Sequence, residues 1–263
     1  MTPAATWRRC LPLALALVMA GCQTQSVREV DGGATGELGS PTAQAGPADV
    51  YIELAGAYLR QGQLTEALRN ARKAVIVDAK NANAHYVLGL VQQRLGQFDL
   101  ADEAYRKAIA VDPRNPEALN AYGSFLCDRG RYDDADSYFR QALQNPLYQS
   151  PWMALHNAGW CRQRAGDAGA AETDFRAALR TNPEFAPSLL SMGELSFDKG
   201  VFLSARAYLQ RFAEVAPATA ESLWLGVRTE RQLGDATQAA RYAQALRLQF
   251  PDSEQARYLQ TIE

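Results

Sequence analysis

The chain has 263 residues, of which 47% are apolar and 21% are charged, and its formal net charge is −2. This composition is typical of a globular protein with one or two domains. The chain has no run of basic residues, so nucleic acid is not expected as a partner.

The first 21 residues have the pattern of a signal peptide. Arg8 and Arg9 precede the apolar run Leu11–Ala20, which is too short to span a bilayer. The run leads into "VMAGC", and small residues before a cysteine resemble the bacterial lipobox, where that cysteine is acylated and becomes the mature N-terminus. The alternative is an ordinary signal peptide followed by an incidental cysteine. We expect residues 1–21 to be removed and Cys22 to be lipidated.

The residue after the cysteine bears on which membrane holds the anchor. In lipoproteins, Asp at this place often retains the protein at the inner membrane, and this chain has Gln23 instead. The resemblance therefore implies an anchor in the outer membrane, on its periplasmic face. Acyl chains contribute about 0.8 kcal/mol per buried CH₂, so a multiply acylated cysteine holds a protein to a membrane.

Residues 22–47 are expected to be the lipidated cysteine and a flexible tether. The stretch after Cys22 contains five glycines, two prolines and almost no large apolar side chains. Such a segment has nothing to bury and cannot offset the entropy of ordering. The tether would let the folded part stand away from the membrane.

From residue 48 onward the sequence repeats. Glycines recur at one constant interval, except that the third interval is longer by two, and a column of alanines shows the same intervals. The glycines are Gly62, Gly96, Gly130, Gly166, Gly200 and Gly234. Two helical patterns with a glycine between them closely resemble the tetratricopeptide repeat, a helix–turn–helix unit of about 34 residues that must stack to bury its apolar face. We therefore expect an all-α fold, an α-solenoid of six such repeats in a right-handed superhelix.

The predicted repeat boundaries follow from the two columns. The repeats are 48–81, 82–115, 116–149, 152–185, 186–219 and 220–253. Residues 254–263 are expected to form a capping segment. Ser150 and Pro151 are two extra residues between the third and fourth repeats, and they predict a longer connector there.

Catalysis has little support in the sequence. The two histidines, His85 and His156, fall in different repeats, and no metal-ligand spacing, phosphate loop or nucleophile elbow is present. We do not expect an enzyme, a cofactor, a metal site or a small-molecule substrate. A repeat array fused to an enzyme is disfavoured because no domain outside the repeats is evident.

A tetratricopeptide stack usually acts as a receptor, with the first helix of each repeat lining a concave surface. Apolar side chains there that repeat packing does not explain predict a site for an apolar strand or helix of another protein. The alternative is that some of them pack against neighbouring helices. The candidates are Ile52, Leu59, Tyr86, Leu90, Trp160, Phe197 and Trp224. We expect the site to centre on the first two repeats, with Trp160 and Trp224 as the next candidates.

Two cysteines fall within the repeats. Cys127 and Cys161 occupy the first helices of the third and fourth repeats, which should be neighbours. In an oxidising periplasm they can form a disulfide if their Cα atoms lie within about 4.4–6.8 Å. The alternative is two buried thiols, and the sequence does not decide between them.

Three local sequences narrow the resemblance to one family. They are "NPLY" followed by proline between repeats three and four, "LWLGVRTERQLGD" at Leu223–Asp235, and "FPDS" at Phe250–Ser253. Together with the lipobox and the repeats, they resemble the PilF/PilW family of type IV pilus biogenesis and stability lipoproteins, the pilotins of the pilus secretin. The resemblance extends over the whole chain.

The resemblance implies a function without chemistry. A lipid-anchored repeat stack would bind secretin subunits, accompany them to the outer membrane and promote their assembly into the channel through which the pilus emerges. The rival interpretation is a general periplasmic scaffold lipoprotein that recruits envelope or peptidoglycan enzymes. The two differ only in partner.

Overall fold

The structure of the protein is a computed structural model that describes residues 46–261. The predicted signal peptide, the lipidation site Cys22 and all but the last two residues of the predicted tether lie outside the described residues. So do the last two residues of the chain.

The described residues form thirteen α-helices and contain no strands, so the fold is all-α. Helices α1 to α12 form six successive antiparallel pairs, and each pair packs against the next, as in a tetratricopeptide solenoid. This arrangement is consistent with the six predicted repeats; the handedness of the superhelix stays a prediction. The helices are α1 (Pro47–Arg60), α2 (Leu64–Val77), α3 (Ala82–Arg94), α4 (Phe98–Val111), α5 (Pro116–Asp128), α6 (Tyr132–Leu143), α7 (Pro151–Arg164), α8 (Ala168–Thr181), α9 (Ala186–Asp198), α10 (Phe202–Val215), α11 (Ala220–Gln232), α12 (Ala236–Gln249) and α13 (Glu254–Thr261).

Each helix pair turns on a glycine in the left-handed backbone region. The φ angles run from 70° at Gly62 to 89° at Gly166, and the other four glycines of the column fall between these values. A side chain at Cβ is disfavoured there, which explains why glycine recurs at this place in every repeat.

A second set of glycines lets the two helices of a pair approach closely. A Cβ added to Gly123 would lie 2.7 Å from the Phe139 ring, and one added to Gly159 would lie 2.8 Å from the Phe175 ring. The regular interval of the repeats places Val227 at this position in the sixth pair. The structure instead brings Gly226 against the Tyr242 ring, where an added Cβ would lie 2.7 Å away. The close approach in the last pair is therefore shifted by one residue.

The connector between the third and fourth pairs is residues 144–150, which includes one of the two inserted residues; the other, Pro151, begins α7. The Tyr148 ring is buried against Leu119, Ala142 and Ala154, whereas the neighbouring Leu147 side chain is 78% exposed. The Asn145 side chain donates to the backbone carbonyl of Arg114 at 2.9 Å and ties the connector to the loop between α4 and α5. The connector is thus anchored to the neighbouring helices through Tyr148 and Asn145.

Four charged side chains also join the third and fourth pairs. Arg140 contacts Asp136 at 3.1 Å and Asp174 at 3.0 Å, and Arg162 contacts the same two carboxylates at 3.0 Å each. Asp174 is almost fully buried, and such a carboxylate requires paired cations. The network crosses from α6 to α7 and α8 and fixes how these helices pack.

Candidate partner-binding surface

The first helices of successive pairs pack side by side. Helix α1 contacts α3, α3 contacts α5, α5 contacts α7, and the series continues through α9 and α11 to α13. Side chains on these helices therefore either fill the space between neighbours or project from the surface. We call the projecting side the first-helix surface.

The prediction that Ile52, Leu59 and Tyr86 are exposed on this surface is wrong. All three are buried in one core cluster, and the Tyr86 side chain is only 2% exposed. The reason is the close packing of adjacent first helices, which covers these positions. Leu90 is partly buried against the same cluster. Whether these residues contact a partner stays a prediction, but the exposure that made them candidates is absent.

Trp160 does project from the surface, with 36% of the residue exposed. The Arg164 guanidinium lies over its ring at 4.6 Å from the centroid and pairs with Asp128 at 3.2 Å. The Gln93 side chain donates to the other oxygen of Asp128, also at 3.2 Å, so a polar chain runs from α3 through α5 to α7. Burial raises the pKa of Asp128, and Arg164 opposes that rise. One face of the indole is thus covered by a guanidinium that is itself paired with a carboxylate.

The last two pairs and α13 carry a row of aromatic side chains around one arginine. The Arg228 guanidinium lies 4.5 Å from the Phe197 centroid and 5.7 Å from the Trp224 centroid. The Trp224 and Tyr258 rings stack at 6.4 Å with 25° between their planes. We call Phe197, Trp224, Arg228 and Tyr258 the aromatic row. Two predicted site residues, Phe197 and Trp224, are therefore brought together, whereas nothing links Trp160 directly to them.

Tyr258 is a residue that the sequence interpretation missed. It is half exposed and belongs to α13, which was expected only to cap the stack. Its position was nevertheless visible in the sequence, because it follows Trp224 by one full repeat interval. Helix α13 thus acts as a further first helix and extends the surface.

The aromatic row holds Arg228 by ring contacts. The buried Nε of Arg228 has no hydrogen-bond partner among residues 46–261. Burial raises the pKa of the nearby Glu194 carboxyl, and Arg228 opposes that rise. Flat aromatic faces beside a guanidinium suit the binding of a peptide, since such groups dominate protein interfaces.

Cys127 and Cys161 are joined in a disulfide that links α5 to α7. Their Cα atoms are 5.7 Å apart, and both residues are buried. This is the first of the two alternatives left open by the sequence.

The two histidines are buried apart from each other. The His156 ring is tilted against the Phe175 ring and meets the Phe185 ring edge-on. Its Nδ1 lies 3.1 Å from the Ser188 hydroxyl, and desolvation lowers its pKa to about 4. His85 Nε2 lies 2.9 Å from the Ala79 carbonyl oxygen.

Residues 46–261 contain no cluster of His, Cys, Asp or Glu able to hold a metal ion, and no helix in that range is long and apolar enough to cross a bilayer.

Comparison with known proteins agrees with the repeat architecture. Residues 55–96 match a family model described as "TPR repeat", and residues 88–149 match one described as "Tetratricopeptide repeat". The chain is also 32% identical over 248 residues to the type IV pilus assembly protein PilF of Pseudomonas aeruginosa, covering 94% of this chain and 96% of that protein.

The chain belongs to the PilF family. Two solved structures of this family superpose on it over most of its length. The Pseudomonas aeruginosa PilF structure covers 82% of the chain and 97% of its own, with a TM-score of 0.73 and 33% identity. The structure of PilW, described as a widely conserved type IV pilus biogenesis factor, covers 83% of the chain and 99% of its own, with a TM-score of 0.72 and 31% identity. The PilF fold is therefore shared across the described residues.

Proposed function

We propose that this protein is an outer-membrane lipoprotein that binds subunits of the type IV pilus secretin and promotes their localisation and multimerisation. The observation that carries the proposal is the 32% identity to PilF over 94% of the chain. The lipobox-like "VMAGC" supports a lipid anchor, and Gln23 after it supports the outer membrane as its location. Together they would place the repeat stack at the membrane where the secretin assembles.

The proposed activity is binding, without catalysis. The aromatic row supplies large, rigid contact surfaces that lose little side-chain entropy on binding. The lipid anchor supplies location, since about 0.8 kcal/mol per buried CH₂ retains the complex at the membrane. Binding the subunits at the place of assembly raises their local concentration, which favours the multimer over dispersed subunits.

The test uses a strain that lacks the gene and is complemented with the wild-type chain or Cys22→Ala. We expect wild type to restore heat-resistant secretin multimers and pili, and the variant to leave monomeric secretin away from the outer membrane. Palmitate labelling shows whether Cys22 is acylated. Normal multimers and pili in the deletion strain, with envelope enzymes co-purifying with the chain, would support the scaffold interpretation instead.

A further inference from the structure

The turn of the fifth pair differs from the other five turns. The difference lies in the residues one and three places after the turn glycine. Polar residues or glycine occupy both positions in the other pairs, namely Gln63, Gln97, Arg131, Asp167 and Asp235 at the first and Thr65, Asp99, Asp133, Gly169 and Thr237 at the second. The fifth pair has Val201 and Leu203, which are 50% and 67% exposed. An apolar patch at this turn is not required by the repeat fold.

The junction beside this turn also lacks a large side chain. Five junctions join successive helix pairs, and at each one the first helix of the later pair places a residue at the same position of the repeat. These residues are Gln92, Leu126, Arg162, Ser196 and Glu230. Arg162 reaches back to Asp136 of the preceding pair, and Glu230 pairs with Arg206 in the same way. The Ser196 hydroxyl instead donates to the Met192 carbonyl of its own helix at 2.6 Å. The smallest residue of the series therefore leaves the junction between the fourth and fifth pairs unfilled.

A cavity of about 100 Å³ occupies this junction. Its lining is mixed: Met192, Leu195, Val201 and Tyr208 supply the apolar part. The polar part comes from Glu172, Arg176, Ser196, Lys199 and Ser204. An apolar cavity of about 150 Å³ holds benzene, which has six carbon atoms. A cavity of about two thirds of that volume therefore has room for the four carbon atoms of a leucine side chain. We call the cavity and the adjoining Val201 and Leu203 the fifth-turn pocket.

The mouth of the pocket carries an excess of positive charge. Glu172 is shared by two cations: it pairs with Lys199, and the Arg176 guanidinium contacts it at 2.6 Å and 2.9 Å. One carboxylate cannot neutralise both cations, so a further carboxylate at the mouth is favoured.

We propose that the fifth-turn pocket is a docking site for a segment of a partner protein in which a leucine-sized apolar side chain stands beside an Asp or Glu. The apolar side chain fills the space that Ser196 leaves, and the carboxylate takes the cations at the mouth. Val201 and Leu203 pack against the flanks of the segment. The site uses none of the four residues of the aromatic row, so this inference goes beyond the proposed function.

The direct test is methyl NMR on the lipidated full chain in nanodiscs, labelled at methionine methyl groups. The probes are N-acetyl-Leu-Asp amide and N-acetyl-Leu-Lys amide. We expect a saturable shift of the Met192 methyl signal, with about twofold to fivefold tighter binding of the Asp probe. Met153 in α7 is the internal control and should not respond. No saturable shift at Met192, or equal affinity for the two probes, would overturn the proposal.

Variants separate pocket filling from general effects. Ser196→Leu copies Leu126 of another junction and should abolish the shift, because the new side chain fills the pocket. Ser137→Leu, at an exposed position of α6, should leave the shift unchanged. The pair Val201→Gln with Leu203→Thr copies residues of other turns and should weaken binding about tenfold or more. If either pocket variant binds the Asp probe like wild type while remaining folded in a thermal melt, the pocket is not the site.

A second arm in cells rests on the proposed function. Val201→Gln with Leu203→Thr should reduce pili in the complemented strain, whereas Leu248→Thr on exposed α12 should not. Normal piliation with the pocket variant would overturn the partner role of the pocket and leave the proposed function standing. If wild type itself fails to restore pili, the proposed function is wrong and the NMR result decides the pocket.

Discussion

His156 shows how one buried side chain links the packing of this protein to pH. Its imidazole is enclosed by two aromatic rings and has a pKa lowered to about 4 because burial disfavours the charged form. In the unfolded chain the same group titrates near its ordinary value of about 6.5. As the pH falls, the unfolded chain therefore takes up a proton first.

The consequence is a loss of stability in mild acid. The contribution of His156 is fully present above about pH 6.5 and is lost as the pH falls towards 4, by up to roughly 3 kcal/mol. Urea unfolding of wild type and His156→Gln at pH 7.5 and pH 4.5 isolates this contribution from the other titrating groups. We expect wild type to lose more free energy of unfolding than the variant between the two pH values. Equal losses would show that His156 does not carry the effect.

Gly226 tests the shifted close approach in the sixth pair. Gly226→Ala adds a methyl group 2.7 Å from the Tyr242 ring, and such overpacking costs about 1–3 kcal/mol. The matched control is Gly169→Ala, whose added Cβ meets nothing closer than 3.7 Å and whose helix should gain up to about 1 kcal/mol. Thermal unfolding measures both. A neutral Gly226→Ala would mean that the register of the sixth pair follows Val227 after all.

At the scale of helices, the junction between the third and fourth pairs combines more kinds of stabilising contact than the junctions beside it. The packed connector, the ion network around Asp174 and the disulfide between α5 and α7 all act at this one place. The two-residue insertion in the sequence therefore coincides with a reinforced junction.

Removal of the disulfide should destabilise the protein substantially. Cys127 and Cys161 are 34 residues apart, and the chain-entropy model for a loop of this size gives roughly 3–4 kcal/mol. Chemical denaturation of wild type and of the variant with both cysteines changed to alanine measures the difference. Reduced wild type serves as the control for effects of the alanines themselves. A difference near zero would indicate that the remaining contacts alone hold the junction.

The spacing in the sequence predicted the helix pairs well, because Gly62 and its equivalents need a left-handed backbone and cannot be replaced freely. The spacing could not predict the burial of Ile52 and Tyr86, because that depends on how closely neighbouring first helices approach. The role of Gly226 was missed for a related reason. The separation between Gly226 and Tyr242 is the same as that between Gly123 and Phe139. Both residues of the sixth pair, however, lie one place before the position that the repeat interval predicts.

At the scale of the whole chain, the protein is a stack of helix pairs whose first-helix surface ends in the aromatic row. Phe197, Trp224 and Tyr258 come from three successive first helices, so a partner lying across them would contact α9, α11 and α13 together. Truncating a central aromatic anchor of an interface typically costs about 2 kcal/mol or more.

The most direct test of the central claim is the affinity of the lipidated full chain for the periplasmic region of the secretin, measured by surface plasmon resonance in nanodiscs. Wild type should bind, and Phe197→Ala with Trp224→Ala should weaken binding about thirtyfold or more while circular dichroism stays helical. Leu248→Ala, an exposed apolar change on α12, should bind like wild type. Undiminished binding by the double variant would contradict the aromatic row as the docking site, and no binding by wild type would contradict the proposed function itself.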